Sequence, residues 1–272
     1  FHYHALVLMS RIANVFQRKE DERRFNKQAD LVRSAINRLL FDFQIGVYVD
    51  GEDSSHASLH SNMVVLAFGV VPDNRRRTVV DFVKSRGMAC SVYAAQYLLE
   101  ALYENDEDGH ALDLMTAKHD RGWWNMIQAG STVTLEAWDW KYKNNLDWNH
   151  AWGAVPANII PRYLMGIRPL KPGFSKVLIQ PRPGQLEKGR VKFPTIRGAV
   201  QVDFKSKPGT AFLLEVTIPA GMTAAIDLPF PGGDDSRVLV DGIALDRRIS
   251  GRFARIDNVQ EGYHTFERKS QT

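Results

Sequence analysis

The sequence holds one cysteine, Cys90, among 272 residues. No intrachain disulfide can form, so oxidative stapling is excluded as a source of stability. Cys90 lies in the run Met88-Ala89-Cys90-Ser91-Val92, where a small buried core residue is expected rather than a nucleophile. No apolar run approaches the ~20 residues that a membrane-spanning helix needs. Excess charge of one sign is missing too: the net charge is +4, too small to suggest a polyanionic partner. The one basic run, Arg75-Arg76-Arg77, follows Pro72-Asp73-Asn74 and reads as a solvated helix face, not as a nucleic-acid contact. A neutral ligand fits this balance best. Cysteine usage does not fix the compartment; a bacterial periplasmic or extracellular location is favoured over a cytoplasmic one. The opening Phe1-His2-Tyr3-His4 reads as a helix already under way, and the chain is therefore expected to be a piece of a longer protein.

With 44% hydrophobic and 24% charged residues, the chain can build a globular core. Residues 1–168 carry helical periodicity. Leu6, Met9, Ala13 and Phe16 set one stripe; Phe25, Ala29, Val32, Ile36 and Leu39 set the next. Helices are expected over 4–18, 21–40, 58–70, 74–84, 88–103, 106–118 and 148–165, the last kinked or split by Pro156 and Pro161. Sequential helices with short links suggest a bundle, a solenoid or a toroid of hairpins. After Arg168-Pro169-Leu170-Lys171-Pro172-Gly173 the period changes to two. Strands are expected over 175–180, 199–204, 211–218, 223–228, 237–240, 252–256 and 262–267. Turn signals separate them at Pro208-Gly209, Pro231-Gly232-Gly233-Asp234 and Asp241-Gly242. Short strands at this spacing indicate an antiparallel β-sandwich over residues 169–272, structural rather than catalytic.

All six tryptophans fall between residues 123 and 152: Trp123, Trp124, Trp138, Trp140, Trp148 and Trp152. Indoles stack on the C–H faces of pyranose rings while nearby polar groups bind the hydroxyls, so the cluster suggests a sugar pocket. A local aromatic core is the other reading. Within the cluster, 131–140 reads Ser-Thr-Val-Thr-Leu-Glu-Ala-Trp-Asp-Trp. If extended, it sets Thr132, Thr134, Glu136, Trp138 and Trp140 on one face. Such surroundings would partly dehydrate the carboxylate and shift it toward acid/base work; equally, Glu136 could cap a helix start. Asn149 and His150 are expected on the first helical turn after Asp147, with Trp148 and Trp152 one turn apart on a shared face. His150 there could bind sugar hydroxyls or be structural. His56, His60 and Asn62 form a second polar group. None of these spacings matches a zinc motif, so neither a metal nor a cofactor is expected.

Gly130-Ser131-Thr132-Val133-Thr134-Leu135-Glu136-Ala137-Trp138, then Asp147-Trp148-Asn149-His150-Ala151-Trp152-Gly153-Ala154, together resemble the bacterial α-L-rhamnosidases of glycoside hydrolase family 78. So do Gly166-Ile167-Arg168-Pro169, Lys171-Pro172-Gly173-Phe174, Val177-Leu178-Ile179-Gln180-Pro181 and the stretch from His60-Ser61-Asn62 to Pro72. The resemblance implies part of an (α/α)₆ toroid over 1–168, followed by the β-sandwich. It implies hydrolysis of terminal α-L-rhamnosides, glycoside or polysaccharide, with inversion. The residue matching the general base is Glu136, and the one matching the sugar-binding histidine is His150. Trp123, Trp124, Trp138, Trp140, Trp148 and Asn149 are the accompanying candidates for sugar binding. The general acid of the family belongs to an acidic segment that has no match here; Asp50-Gly51-Glu52-Asp53 does not fit it. The acid is therefore expected in an upstream part of the same enzyme. Two alternatives stay open. One is a non-catalytic carbohydrate-binding or scaffolding module. The other is a toroid hydrolase or lyase for another sugar, for which a uronate would need Arg121, Lys141 or Lys143.

Overall fold

The computed structural model describes residues 1–207, 209–230, 237–245 and 251–269. Contacts divide the chain into two compact units, Phe1–Val155 and Pro156–Thr272. The first is helical. Helix α1 (His2–Val15) packs on α2 (Lys19–Leu39), and a short hairpin of β1 (Phe41–Asp42) and β2 (Val47–Tyr48) follows. Then come α3 (Leu59–Ala67), α4 (Asp73–Ser85), α5 (Ala95–Glu104), α6 (Asp108–Thr116) and α7 (Trp123–Gln128), with α3 packed on both α4 and α5.

Local chemistry starts these helices. Glu20, Asp21 and Glu22 fill the first turn of α2, where the helix dipole favours negative charge. Ser58 caps α3, its hydroxyl accepting from the Ser61 amide at 3.2 Å. Asn62 ties α3 to the hairpin. It is fully buried. Its Oδ1 accepts from the Tyr48 amide at 2.9 Å, and its Nδ2 donates to the carbonyls of Tyr48 at 2.8 Å and Ser58 at 2.9 Å. This asparagine is thus a structural staple rather than a member of a polar surface site.

Two helix expectations need correction. Residues 88–94 are irregular and α5 begins only at Ala95, so Cys90 lies in a loop. Cys90 is nevertheless buried, and burial pushes its thiol up to about 12, which leaves it unreactive. The span 148–165 is also not one helix. It holds a 3₁₀ turn (Ala151–Gly153), the short α8 (Val155–Ile159) and a π turn (Ile160–Leu164). Pro156 sits near the start of α8, where its missing N–H is harmless. Pro161 is accommodated by the wider π turn.

The second unit holds the two larger sheets. The six-stranded sheet runs β10-β9-β12-β7-β6-β5 and the four-stranded one β11-β8-β4-β3. In chain order the strands are β3 (Ile167–Pro169), β4 (Lys176–Ile179), β5 (Lys188–Thr195), β6 (Gly198–Lys207), β7 (Ala211–Ile218) and β8 (Thr223–Pro229). They continue with β9 (Arg237–Val240), β10 (Ile243–Ala244), β11 (Phe253–Val259) and β12 (Gly262–Lys269). Strand β7 alternates strictly, burying Phe212, Leu214, Val216 and Ile218. Asp241 and Gly242, both at positive φ, make the two-residue turn between β9 and β10. Pro208 and the Pro231-Gly232-Gly233-Asp234 signal lie outside the described residues. Among the described residues one pair of strands departs from an antiparallel sandwich: β4 and β8 run parallel. Three strands of the other sheet intervene between them, so the chain re-enters the four-stranded sheet in the direction in which it left.

The Gly166–Pro169 and Gln180 motifs have a structural explanation. Gly166 has φ +75°, and a Cβ there would meet the Gln180 carbonyl oxygen at 2.0 Å. Arg168 donates to Gln180 Oε1 at 2.7 Å, and Gln180 Nε2 donates to the buried Asp227 at 2.7 Å. These residues lock β3, β4 and β8 together.

Replacing Asn62 by Ala strands the Tyr48 N–H in the interior and leaves the Tyr48 carbonyl only the Ser61 hydroxyl as donor. A loss of roughly 2–4 kcal/mol in unfolding free energy is expected by urea titration. A loss below about 0.5 kcal/mol, the level of a neutral surface change, would contradict the staple.

Candidate active site

Two irregular segments, 134–136 and 147–150, are drawn together by backbone bonds. The Glu136 amide donates to the Asp147 carbonyl at 3.1 Å, and the His150 amide donates to the Thr134 carbonyl at 2.8 Å. Thr134 Oγ1 donates back to the His150 carbonyl at 2.7 Å. Gly153 makes the approach feasible: a Cβ there would lie 2.7 Å from both the Leu135 oxygen and the Thr134 Cβ. Trp123 fixes this corner from inside, its Nε1 donating to the Gly153 carbonyl at 2.7 Å.

The pairing sets Glu136 beside His150 and Asp147. One donor atom from each of the three lies within 4.8 Å of the other two. That spacing suits a divalent cation, which sequence spacing alone did not suggest. A cation is already at hand, however. Lys143 Nζ donates to Glu136 Oε1 in a close ion pair, and the Asp147 amide donates to Oε2 at 3.4 Å. The side chain of Glu136 is 21% exposed. Its carboxyl is held below the ordinary carboxylate range, first by the Lys143 hydrogen bond; desolvation opposes this next, and the Asp147 amide and the charges of Lys143 and His150 add to the lowering. The expectation of a dehydrated carboxylate is therefore reversed. The surroundings favour the ionised form, which suits a group that accepts a proton.

The tryptophans divide into two populations. Trp138 is 2% exposed, stands edge-to-face with Trp123 at 5.0 Å, and donates from Nε1 to the Cys90 carbonyl at 2.7 Å. Trp123 is buried as well. Neither ring has a face free for stacking. The extended-strand expectation for 131–140 fails for the same reason: the segment is irregular, and Leu135 and Trp138 turn inward together. Trp124, Trp140, Trp148 and Trp152 are exposed. Trp140 and Trp148 pack at 5.7 Å. Trp152, in the 3₁₀ turn, packs instead against His150 at 4.8 Å and Tyr93 at 5.4 Å, so Trp148 and Trp152 do not share a helical face. Asn149 is exposed, and His150 is half-buried ahead of the 3₁₀ turn rather than on a helix.

Other charges near the cluster are engaged. Lys141 pairs with Asp120, whose Oδ2 also accepts from the Tyr142 hydroxyl at 3.0 Å, and Arg121 donates to that hydroxyl at 3.0 Å. Asp139 accepts from the Lys141 amide at 3.1 Å and from Asn125 at 3.0 Å. His56 and His60 belong to a separate loop and helix start. There Asp50 contacts His56 Nδ1 at 2.5 Å and accepts from the Ser58 amide at 3.0 Å. Burial raises the Asp50 pKa, but these hydrogen bonds outweigh it and hold the carboxyl far below its usual value. Sequence reasoning missed Lys143 as the partner of Glu136 and missed Tyr93 altogether. The only signal for Lys143 was a cation a few residues past the glutamate, beyond a turn that folds the chain back.

Residues 1–164 match the family model described as the bacterial alpha-L-rhamnosidase 6 hairpin glycosidase domain, and residues 166–239 match that of the bacterial alpha-L-rhamnosidase C-terminal domain. An alpha-L-rhamnosidase of Streptomyces avermitilis is 25% identical over 182 residues, covering 61% of this chain and 18% of the relative. One of Formosa agariphila is 24% identical over 254 residues, covering 88% of this chain and 26% of the relative. The solved alpha-L-rhamnosidase from Dictyoglumus thermophilum superposes with a TM-score of 0.86 at 20% identity, over 98% of this chain and 31% of that one. The chain thus shares the fold and spans less than a third of each of these proteins.

Replacing Lys143 by Met removes the chief cause of the depressed Glu136 pKa. The carboxyl is then expected to titrate at higher pH, so less of it is ionised at pH values around and below the ordinary carboxylate pKa. A carbon-13 carboxyl titration of labelled glutamates, assigned with Glu136→Gln, reads the shift directly. An unmoved Glu136 resonance would remove Lys143 from this role.

Proposed function

We propose a function on the premise that the chain belongs to the bacterial α-L-rhamnosidase family: it carries the general-base half of an inverting α-L-rhamnoside hydrolase. Glu136 deprotonates the attacking water, and His150 with the exposed indoles around it holds the sugar. The observation that carries this reading is the state of Glu136. It is a partly exposed carboxylate, kept ionised by Lys143 and set against His150 by backbone bonds. A proton acceptor needs this form, whereas a general acid would need a raised pKa.

An inverting site also needs a general acid roughly 6.5–9.5 Å from the base. Asp147 does not supply it. A carboxylate oxygen within 4.8 Å of Glu136 leaves no room for the water and the anomeric carbon between the two groups. The acid is assigned to polypeptide outside these residues, in the N-terminal half of the toroid. In this reading residues 1–168 are the C-terminal portion of the toroid and 169–272 the sandwich. Helix α1 supports it: Leu8, Met9, Ile12, Val15 and Phe16 are exposed, while Leu6 and Ala13 are buried. A helix apolar on two sides has neighbours on two sides, and the upstream hairpins of the toroid are the neighbours proposed.

A uronate-specific enzyme is disfavoured, since Lys143, Lys141 and Arg121 are bound to Glu136, Asp120 and Tyr142. A purely binding role remains distinguishable by experiment. This chain alone is expected to hydrolyse aryl α-L-rhamnosides weakly or not at all, and an enzyme containing the whole toroid to do so readily. Within that enzyme, Glu136→Gln should lower turnover by about 10²–10⁴-fold with an unchanged circular dichroism spectrum. A near-normal rate would exclude Glu136 as the base; sugar binding without turnover by the whole protein would favour the binding module.

A further inference from the structure

The outer face of the six-stranded sheet carries its charge unevenly. Along the middle of β5, β6 and β7 the signs are matched: Arg190 pairs with Asp203, and the Tyr263 hydroxyl donates to Glu215. One row nearer the β6–β7 turn the matching stops. Lys188 on β5 stands directly opposite Lys205 on β6. Lys207 follows on the same face, opposite Ala211 of β7. All three lysines are exposed, and among the described residues none of them is ion-paired with an acid. Like charges set directly opposite on neighbouring strands destabilise a sheet. Lysine on an edge strand guards against unwanted pairing, which accounts for Lys188 on the edge strand β5. It does not account for Lys205 and Lys207, because β6 is hydrogen-bonded to a strand on each side.

These lysines line a groove of about 590 Å³ across the ends of β5, β6, β7 and β12, within the range of about 300–1,000 Å³ for ligand sites. Four adjacent strands spaced by ~4.8 Å make it roughly 14 Å across. Lys269 and the buried Arg268 join the cations, and the acids are Glu187 and Glu267. Glu267 is already paired with Lys269, so the positive excess falls on the three unpaired lysines. Leu213 and Ala211 give the groove an apolar strip between them. The groove lies wholly in the second unit and uses none of the residues around Glu136.

Such a groove suits an extended anion with charges spaced along it. A small anion would reach only neighbouring lysines and leave the rest uncompensated. A single-stranded nucleic acid needs exposed rings on which its bases stack, whereas the aromatic residue of this groove, Phe212, is 2% exposed. The small net charge of the chain is compatible with this, because the unpaired cations are concentrated in one place. We propose that the groove binds an acidic polysaccharide, whose carboxylate or sulfate groups pair with Lys188, Lys205 and Lys207. The choice of a glycan among polyanions rests on the chain's membership of a glycosidase family; the anion chemistry of the groove does not. The sandwich then acts as an anchor on an acidic polymer as well as a support.

The test measures dissociation constants by fluorescence anisotropy, on the chain itself. The probes are labelled oligogalacturonate, sulfated dextran oligosaccharide, neutral dextran oligosaccharide and single-stranded DNA of matched charge. Both acidic oligosaccharides are expected to bind, more weakly as salt is raised, and neutral dextran not to bind. Neutralising the groove with Lys188→Gln, Lys205→Gln and Lys207→Gln together should weaken binding by about tenfold or more. Lys27→Gln, Lys171→Gln and Lys192→Gln together remove the same charge from exposed positions outside the groove and should change binding by less than about twofold. Glu187→Gln, which removes an exposed acid from the groove, should tighten binding by roughly twofold, a gain that misfolding cannot mimic. The proposal is overturned if neither acidic oligosaccharide binds, if the control triple variant weakens binding as much as the groove variant, or if Glu187→Gln weakens it. DNA binding as tight as that of the acidic oligosaccharides would overturn the assignment to a glycan. Turnover of the whole enzyme surviving Glu136→Gln would sink the base reading and leave this groove standing, and loss of acidic-glycan binding would do the reverse.

Discussion

The pairing of residues 134–136 with residues 147–150 is the constraint on which the candidate site depends. Neither segment is in a helix or a sheet, so no regular ladder holds it. Two amide bonds and the Thr134 hydroxyl join them, and the contact is close enough that only glycine fits at position 153. Without this pairing, Glu136 and His150 would sit on two independent loops. With it, they share a small volume whose polar contents are fixed by backbone geometry.

The electrostatics follow from that placement. A carboxylate beside an ammonium and a backbone amide stays ionised at lower pH than a free one, and Lys143 supplies the larger share. The buried pair Trp123 and Trp138 supports the site from beneath, each indole N–H satisfied by a backbone carbonyl. The other four indoles and Tyr93 leave ring surface exposed. Tryptophan here therefore has two jobs in one short stretch: a rigid floor and an accessible wall.

Much of the scaffold was legible because periodicity is a local property. The strict alternation of β7 follows from which residues must face a core, whereas the stripes expected for α1 and α2 are only partly covered: Leu6, Ala13 and Ala29 are buried, but Met9, Phe16 and Leu39 are exposed. The misreadings arose where tertiary contacts decide. Residues 88–94 are apolar enough for a helix but are irregular, and the Cys90 carbonyl there serves Trp138. The apolar, proline-bearing span 148–165 is divided among three kinds of turn. The parallel pairing of β4 with β8 is a matter of chain return between sheets, invisible in either strand alone. In the site, the tryptophan cluster and Glu136 were visible as composition and motif, but which rings face inward was not. The Lys143–Glu136 pair spans a turn and could not be read from spacing. The Gly166–Pro169 and Gln180 motifs, noticed through family resemblance, proved to be a structural lock on three strands.

Amide hydrogen exchange tests the central pairing most directly. Slow exchange requires a stable hydrogen bond. The account predicts that the amides of Glu136 and His150 are protected in the native chain. It also predicts that Gly153→Ala abolishes that protection while the amides of α5 stay protected. Exchange of the Glu136 and His150 amides at unstructured-chain rates in the native protein would contradict it.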